Sequence, residues 1–273
     1  MAVIAVNDPD DARIAAYRNV PDPDLLIRGG LFVAEGRLVV RRMIEGERFP
    51  VRSVMVTEAA LIPLRELLAT RDELTVYVVP QSVMNGITGF NVHRGCLAIG
   101  ERPRPRSWRD VMRGARRAIA LERVSNADNV GALFRSAAAF GVDAVLLERT
   151  CADPLYRKAI RTSMGAALTM PFAEAEPWPA MLSELARNGW QIVAMTPSTS
   201  APPLRAVAAD VSSRPVVVVV GHEGEGLSDA ALEACTHRAR IPMTSSVDSL
   251  NVATAAAVAL YELIARDAAE GAV

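Results

Sequence analysis

The sequence predicts an α/β fold, in which a small α/β domain precedes a larger one built on a parallel sheet. Three observations carry this expectation. Apolar strand-like runs alternate with helical segments along the whole chain. The run Val216 to Val220 is β-branched and apolar on both alternating faces, as a central parallel strand covered on both sides requires. Charge divides the chain: residues 1–117 carry 18 arginines and 14 acids, net +4, while residues 118–273 carry 12 basic residues and 17 acids, net −5. The 273 residues, 51% hydrophobic, suffice for one large domain or two modest ones.

The elements follow in order. Residues 1–24 read as a helical extension, with a helix from Asp11 to Asn19 closed by Pro21 and Pro23. Residues 31–34, 51–56, 75–79 and 96–99 read as strands, and Leu61 to Leu68 as a helix. These define a first domain over 1–100. Arginine and proline alternate from Glu101 to Arg106, which builds neither a helix nor a central strand. Residues 101–117 are therefore expected to be a basic linker, either a solvated spacer or a strip that meets phosphates. The second domain, 118–273, has strands at 118–122, 144–147, 191–195 and 215–220. Helices are expected at about 129–140, 155–162, 178–188, 227–235 and 249–266.

Composition excludes several classes. The net charge of −1 excludes a globally basic nucleic-acid coat, though not a local patch. Three widely spaced cysteines, Cys96, Cys151 and Cys235, offer no disulfide framework or zinc pattern. His93, His222 and His237 have no metal-ligand partner at a useful spacing and stay unassigned, so no metal is expected. The start has no basic stretch ahead of an apolar one, and no run approaches the ~20 apolar residues of a membrane span. A cytoplasmic protein without membrane partners is expected.

Three segments have the residue types for chemistry. The first runs from Ser125 to Ala137, after a strand and into a helix. Ser125, Asn126, Asp128 and Asn129 all suit a helix cap. Gly131 inside the helix costs ~1 kcal/mol against alanine, which suggests close backbone approach. Arg135 lies one turn beyond Gly131, placed to pair with an acid or to meet an anion. The second, Gly221-His-Glu-Gly-Glu-Gly-Leu, follows the valine strand, at the carboxyl end where open α/β sheets bind ligands. It lacks the Gly-Lys-Ser/Thr of a P-loop and the glycine order of a dinucleotide fingerprint. A tight turn is the plain alternative. The third runs from Ile241 to Ala256. There Asp248 or Ser249 could cap the last helix, with Asn251 in its first turn facing a ligand.

Together these segments resemble the motifs of the SpoU family of RNA 2′-O-ribose methyltransferases, in the SPOUT superfamily. Asn126, Asn129, Gly131, Ala132, Arg135 and Ala137 match the first motif. Gly221, Glu223, Gly226 and Leu227 match the second. Ile241, Pro242, Met243, Ser249, Leu250, Asn251 and Val252 match the third, with Asp248 where glutamate is common. Arg161-Thr-Ser-Met-Gly-Ala is similar to an auxiliary segment. Phe32 to Val39 and His93 to Ala98 resemble the family's substrate-binding domain, itself similar to RNA-binding ribosomal proteins.

The resemblance implies a catalytic domain with a trefoil knot near the carboxyl end, S-adenosylmethionine as cofactor, and a homodimer with its active site near the subunit interface. It implies that Arg135, Asn129, Glu223, Asn251 and Ser249 serve catalysis, and that Thr196, Gly221, Ile241 and Leu250 hold the cofactor. Arg37, Arg94 and Arg161 would touch RNA, more readily ribosomal than transfer RNA. Arginine is effectively always protonated. Arg135 therefore either takes the hydroxyl proton with help from an RNA phosphate or stabilises the developing alkoxide. The alternatives are a non-catalytic RNA-binding or ribosome-assembly factor with the same fold, and a methyltransferase acting on a base or small molecule.

Overall fold

The computed structural model describes residues 2–18, 22–88, 95–212, 214–244 and 248–265. The chain forms two compact units, one of residues 1–104 with 154–169, the other of 105–153 with 170–273. These compact units differ from the expected domains, 1–100 and 118–273, in two places. The segment 154–169, with the Arg161 motif, leaves the second domain and joins the first. The boundary at 104/105 also splits the expected linker.

The first unit holds strands β1 (Ala2–Ala5), β2 (Leu31–Glu35), β3 (Val51–Val56), β4 (Thr75–Val78) and β5 (Cys96–Glu101). Its helices are α1 (Asp22–Gly29), α2 (Arg37–Glu45), α3 (Glu58–Leu61), α4 (Arg65–Ala69) and α5 (Gln81–Thr88). The sheet order is β1-β4-β3-β5-β2. β1, β4 and β3 are parallel, while β5 runs antiparallel to β3 and β2. The expected amino-terminal extension is thus partly wrong: its first residues form an edge strand, and Ala12–Tyr17 is a 3-10 helix. Pro23 lies within the first turn of α1, where its missing N–H costs nothing. The helix expected over Leu61 to Leu68 is broken around Pro63 into α3, a 3-10 turn Ile62–Leu64 and α4.

The second unit opens with α6 (Trp108–Val111), capped by Ser107. Trp108 is buried and donates from Nε1 to the Glu176 carbonyl at 2.9 Å. Arg109 lies against the Trp108 ring and makes two bonds to Glu184, of 2.6 and 3.0 Å. Part of the expected basic strip is therefore built into the fold. The strands are β6 (Arg117–Leu121), β7 (Ala144–Leu147), β8 (Phe172–Glu174), β9 (Gln191–Met195), β10 (Val216–Val220) and β11 (His237–Ala239). Among them run α7 (Ala127–Ala139), α10 (Ala180–Arg187), α11 (Leu204–Val211), α12 (Asp229–Ala234) and α13 (Val252–Leu260). The segment that joins the first unit carries α8 (Arg157–Thr162) and α9 (Ala166–Thr169).

The second sheet is parallel throughout, in the order β11-β9-β10-β6-β7-β8. β10 lies between β9 and β6 with all five valines buried, as their two-faced apolar pattern requires. The chain returns after β10 and after β11 at one end of this sheet. There the glycine loop and the Ile241 segment come to the start of α13, which packs along α7.

Candidate active site

The site lies at the carboxyl end of β9, β10 and β11, within the second unit. Asn129 is buried in the first turn of α7, a helix capped by the Asn126 side chain on the Asp128 N–H. Asn251 caps α13: its Oδ1 accepts from the N–H groups of Ala253 at 2.9 Å and Thr254 at 3.3 Å. This corrects the expected start of that helix, since neither Asp248 nor Ser249 is the cap. The cap fixes the Asn251 amide, and its Nδ2 donates to Asn129 Oδ1 at 3.0 Å and to Glu223 Oε1 at 2.9 Å. Asn129 Nδ2 donates to the same Glu223 oxygen at 2.5 Å. Three residues from the three motifs thus form one closed hydrogen-bonded triangle.

Glu223 stands on the exposed part of the glycine loop. His222 stabilises that loop, accepting at Nδ1 from the N–H groups of Gly224 at 3.0 Å and Glu225 at 3.2 Å. Gly221 is required by a close approach: a Cβ there would stand 2.6 Å from the Gly226 carbonyl carbon and oxygen. Below the loop, the buried Glu122 carboxylate accepts from Trp178 Nε1 at 2.8 Å and from the N–H and hydroxyl of Ser228 at 2.8 and 2.7 Å. Ser228 in turn caps α12. Arg123, with a left-handed φ of 55°, donates to Glu225 at 2.5 Å and to the Gly226 carbonyl at 3.2 Å. Glu122 and Arg123 are anchors that sequence reasoning did not assign. The only signal for Glu122 was an acid ending an apolar strand.

Beside the triangle opens a cleft of about 600 Å³. Thr196, Gly221, Ile241 and Leu250, the four expected cofactor residues, all line it, and so do Ser249 and Glu223. Among the described residues its wall carries the carboxylates of Glu223, Glu225, Asp229 and Asp248 and no arginine or lysine. Such a wall suits a cationic ligand and disfavours a nucleotide polyphosphate. Burial pushes the thiols of Cys96, Cys151 and Cys235 up to about 12, so none is a ready nucleophile. Among the described residues, no three His, Cys, Asp or Glu side chains form a group that could hold a metal.

Arg135 is not drawn into the triangle. It is exposed on α7, and the described residues give it no hydrogen bond or ion pair. Six residues of helix set it roughly 120° round and about 9 Å along from Asn129. Arg135 and Glu223 therefore do not pair, and Glu223 is engaged by the two asparagines instead. In the first unit, Arg37 opens α2, exposed and unpaired among the described residues. Arg161 on α8 approaches Glu35 at 3.8 Å. Arg94 and His93 lie outside the described residues.

An open parallel α/β sheet, with a ligand-sized cleft at its carboxyl end and a polar triangle beside it, places the chain among the open-sheet α/β proteins with a ligand site at the strand ends. Residues 116–261 match the SpoU rRNA Methylase family, and the chain belongs to that family. An uncharacterized tRNA/rRNA methyltransferase of Mycobacterium bovis is 43% identical over 94% of this chain and 90% of its own length. A structure of an AdoMet-bound rRNA methyltransferase from Sinorhizobium meliloti superposes with a TM-score of 0.82, at 25% identity, over 96% of this chain and 97% of that one. An RNA 2′-O ribose methyltransferase structure gives a TM-score of 0.80 at 26% identity, over 97% of this chain and 100% of that one.

Proposed function

We propose that the protein transfers a methyl group from S-adenosylmethionine to a ribose 2′-hydroxyl in structured RNA, and that ribosomal RNA is the substrate. The observation that carries this reading is the meeting of the three motifs in one hydrogen-bonded triangle beside the cleft. Backbone groups around Thr196, Gly221, Ile241 and Leu250 would hold the cofactor, and the acidic wall suits its positive sulfonium. When bound, the cofactor supplies an electrophilic methyl group.

The chain's own task is to bring the 2′-oxygen in line with that methyl at roughly 3 Å and to manage the hydroxyl proton. Asn129, Glu223 and Asn251 would position the ribose, with Ser249 as a further contact. Arg135 would meet the RNA phosphate and stabilise the developing alkoxide, while solvent or that phosphate takes the proton. Its distance from the triangle within one chain suits an active site near the interface of a homodimer. Val258 and Tyr261, one turn apart on the last helical segment, are large apolar side chains exposed on the second unit and support that assembly. Arg37, Arg94 and Arg161 would bind RNA phosphates. A trefoil knot near the carboxyl end belongs to this reading, supported by family membership. So does the division into a 1–100 RNA-binding domain and a catalytic domain, and so does a cytoplasmic site of action. Among the described residues no helix is long and apolar enough to cross a membrane.

The test is incubation of the purified protein with S-adenosylmethionine and ribosomal RNA, followed by nucleoside digestion and mass spectrometry. A 2′-O-methyl nucleoside is expected. A methylated base would overturn the ribose assignment. RNA binding without any methyl transfer would favour the non-catalytic factor.

A further inference from the structure

His222 lies in the glycine loop, and its ring contacts depend on which nitrogen carries a proton. Its Nδ1 accepts two backbone N–H groups, from Gly224 at 3.0 Å and Glu225 at 3.2 Å. An imidazole accepts at Nδ1 only when that nitrogen carries no proton, so the neutral ring has its proton on Nε2. An imidazolium donates at both nitrogens and would turn an N–H towards the two amides it now accepts from. The bond from the Gly226 N–H to the His222 carbonyl, at 2.9 Å, closes the same turn. The turn is also one wall of the cleft, which His222 lines together with Gly221, Glu223, Gly224 and Glu225.

We infer that His222 is a positioning residue of the cofactor loop, a proton-sensitive staple whose neutral form holds the loop in its cofactor-binding shape. This rests on the reading of the cleft as the S-adenosylmethionine site. The charged groups around the loop are Glu223 and Glu225 on it, Arg123 at the end of β6, Glu122 beneath it, Asp229 at the start of α12 and Asp248 ahead of α13. The sign of the effect follows from the geometry. A proton on Nδ1 removes two acceptor contacts and weakens cofactor binding, so the condition to vary is pH between about 5 and 8, the span in which histidine side chains in general change charge. By linkage, bound cofactor holds the ring neutral.

The experiment compares the full-length wild type with His222→Asn and His222→Ala, by calorimetric titration of S-adenosylmethionine at both ends of that pH range. An asparagine oxygen can accept from N–H groups two and three residues on, as an Asx turn does, and it does not titrate. The wild type should lose roughly tenfold in affinity on acidification, the scale of two neutral hydrogen bonds. His222→Ala should bind weakly at both pH values. His222→Asn should recover most of the lost affinity and respond less to pH than the wild type. A pH-independent wild type, or an asparagine variant as pH-dependent as the wild type, overturns the inference. Nitrogen-15 NMR of the histidine ring provides a second arm that needs no cofactor. The Nε2–H tautomer is expected, with the Gly224 and Glu225 amide shifts following the ring titration, and a ring protonated on Nδ1 at neutral pH overturns it. If no form binds the cofactor at either pH, the cofactor reading fails while the NMR arm still decides the staple.

Discussion

Asn251 does two jobs with one side chain. Its oxygen caps α13 and its nitrogen donates to Asn129 and Glu223, so the helix start and the site geometry depend on the same rotamer. The two jobs can be separated. Asn251→Ser keeps a good cap but loses both amide donations. Its melting temperature should stay near wild type while methyl transfer falls by about tenfold or more. Asn251→Ala should lose both, with about 1 kcal/mol of stability going with the cap. A serine variant with wild-type turnover would leave Asn251 a structural cap only. Arg135 makes the opposite case, because the described fold gives it no partner and exposed residues of that kind contribute little to stability. Arg135→Ala should therefore abolish transfer with cofactor affinity and thermal midpoint almost unchanged. A wild-type rate in single-turnover assays would remove Arg135 from the mechanism.

At the scale of elements, the site depends on one glycine loop held from below. Gly221→Ala would drive a Cβ into the Gly226 backbone, which cannot move aside as a flexible side chain can. The variant should fold, since the sheet is untouched, and should bind S-adenosylmethionine at least tenfold more weakly by calorimetry. Glu122→Leu would leave the Trp178 indole and two Ser228 donors without their acceptor. At ~1–3 kcal/mol for each buried unsatisfied group, a loss of about 3 kcal/mol is expected in denaturant unfolding. The central strands were legible because they are buried on both faces and made of valine, leucine and isoleucine. β1, β8 and β11 were not, being edge strands of three or four residues. Helix α2 begins at Gly36 with a φ of 95° and no side-chain cap, so the usual start signal is missing.

For the whole molecule, the charge division read from the sequence has consequences that depend on which arginines remain free. Arg109 is committed to Trp108 and Glu184, whereas Arg37 is unpaired among the described residues. The logarithm of RNA affinity should fall linearly with the logarithm of salt concentration. Arg37→Ala should lower that slope by about one unit, and Arg109→Ala should leave it unchanged. Filter binding over a salt series measures both, and equal slopes for wild type and Arg37→Ala would remove Arg37 from the RNA surface.

The sequence by itself determined the α/β class and the central strands through local periodicity, and its contiguous motifs pointed to the family and to Gly221, Glu223, Ile241, Ser249 and Leu250, which line the cleft. It also supplied Asn129, Glu223 and Asn251 as candidates. Only the tertiary structure decided that they share one oxygen. Asn129 and Glu223 are 94 positions apart, and Asn129 and Asn251 are 122 apart. Their meeting depends on the placing of β10 beside β6 and on the packing of α13 against α7. Tertiary structure alone moved residues 154–169 into the first unit and built Trp108 into the second. It alone set Arg135 apart from Glu223, which the two asparagines engage. Each of these is a contact between distant segments, set by strand order and helix rotation, which local pattern does not encode.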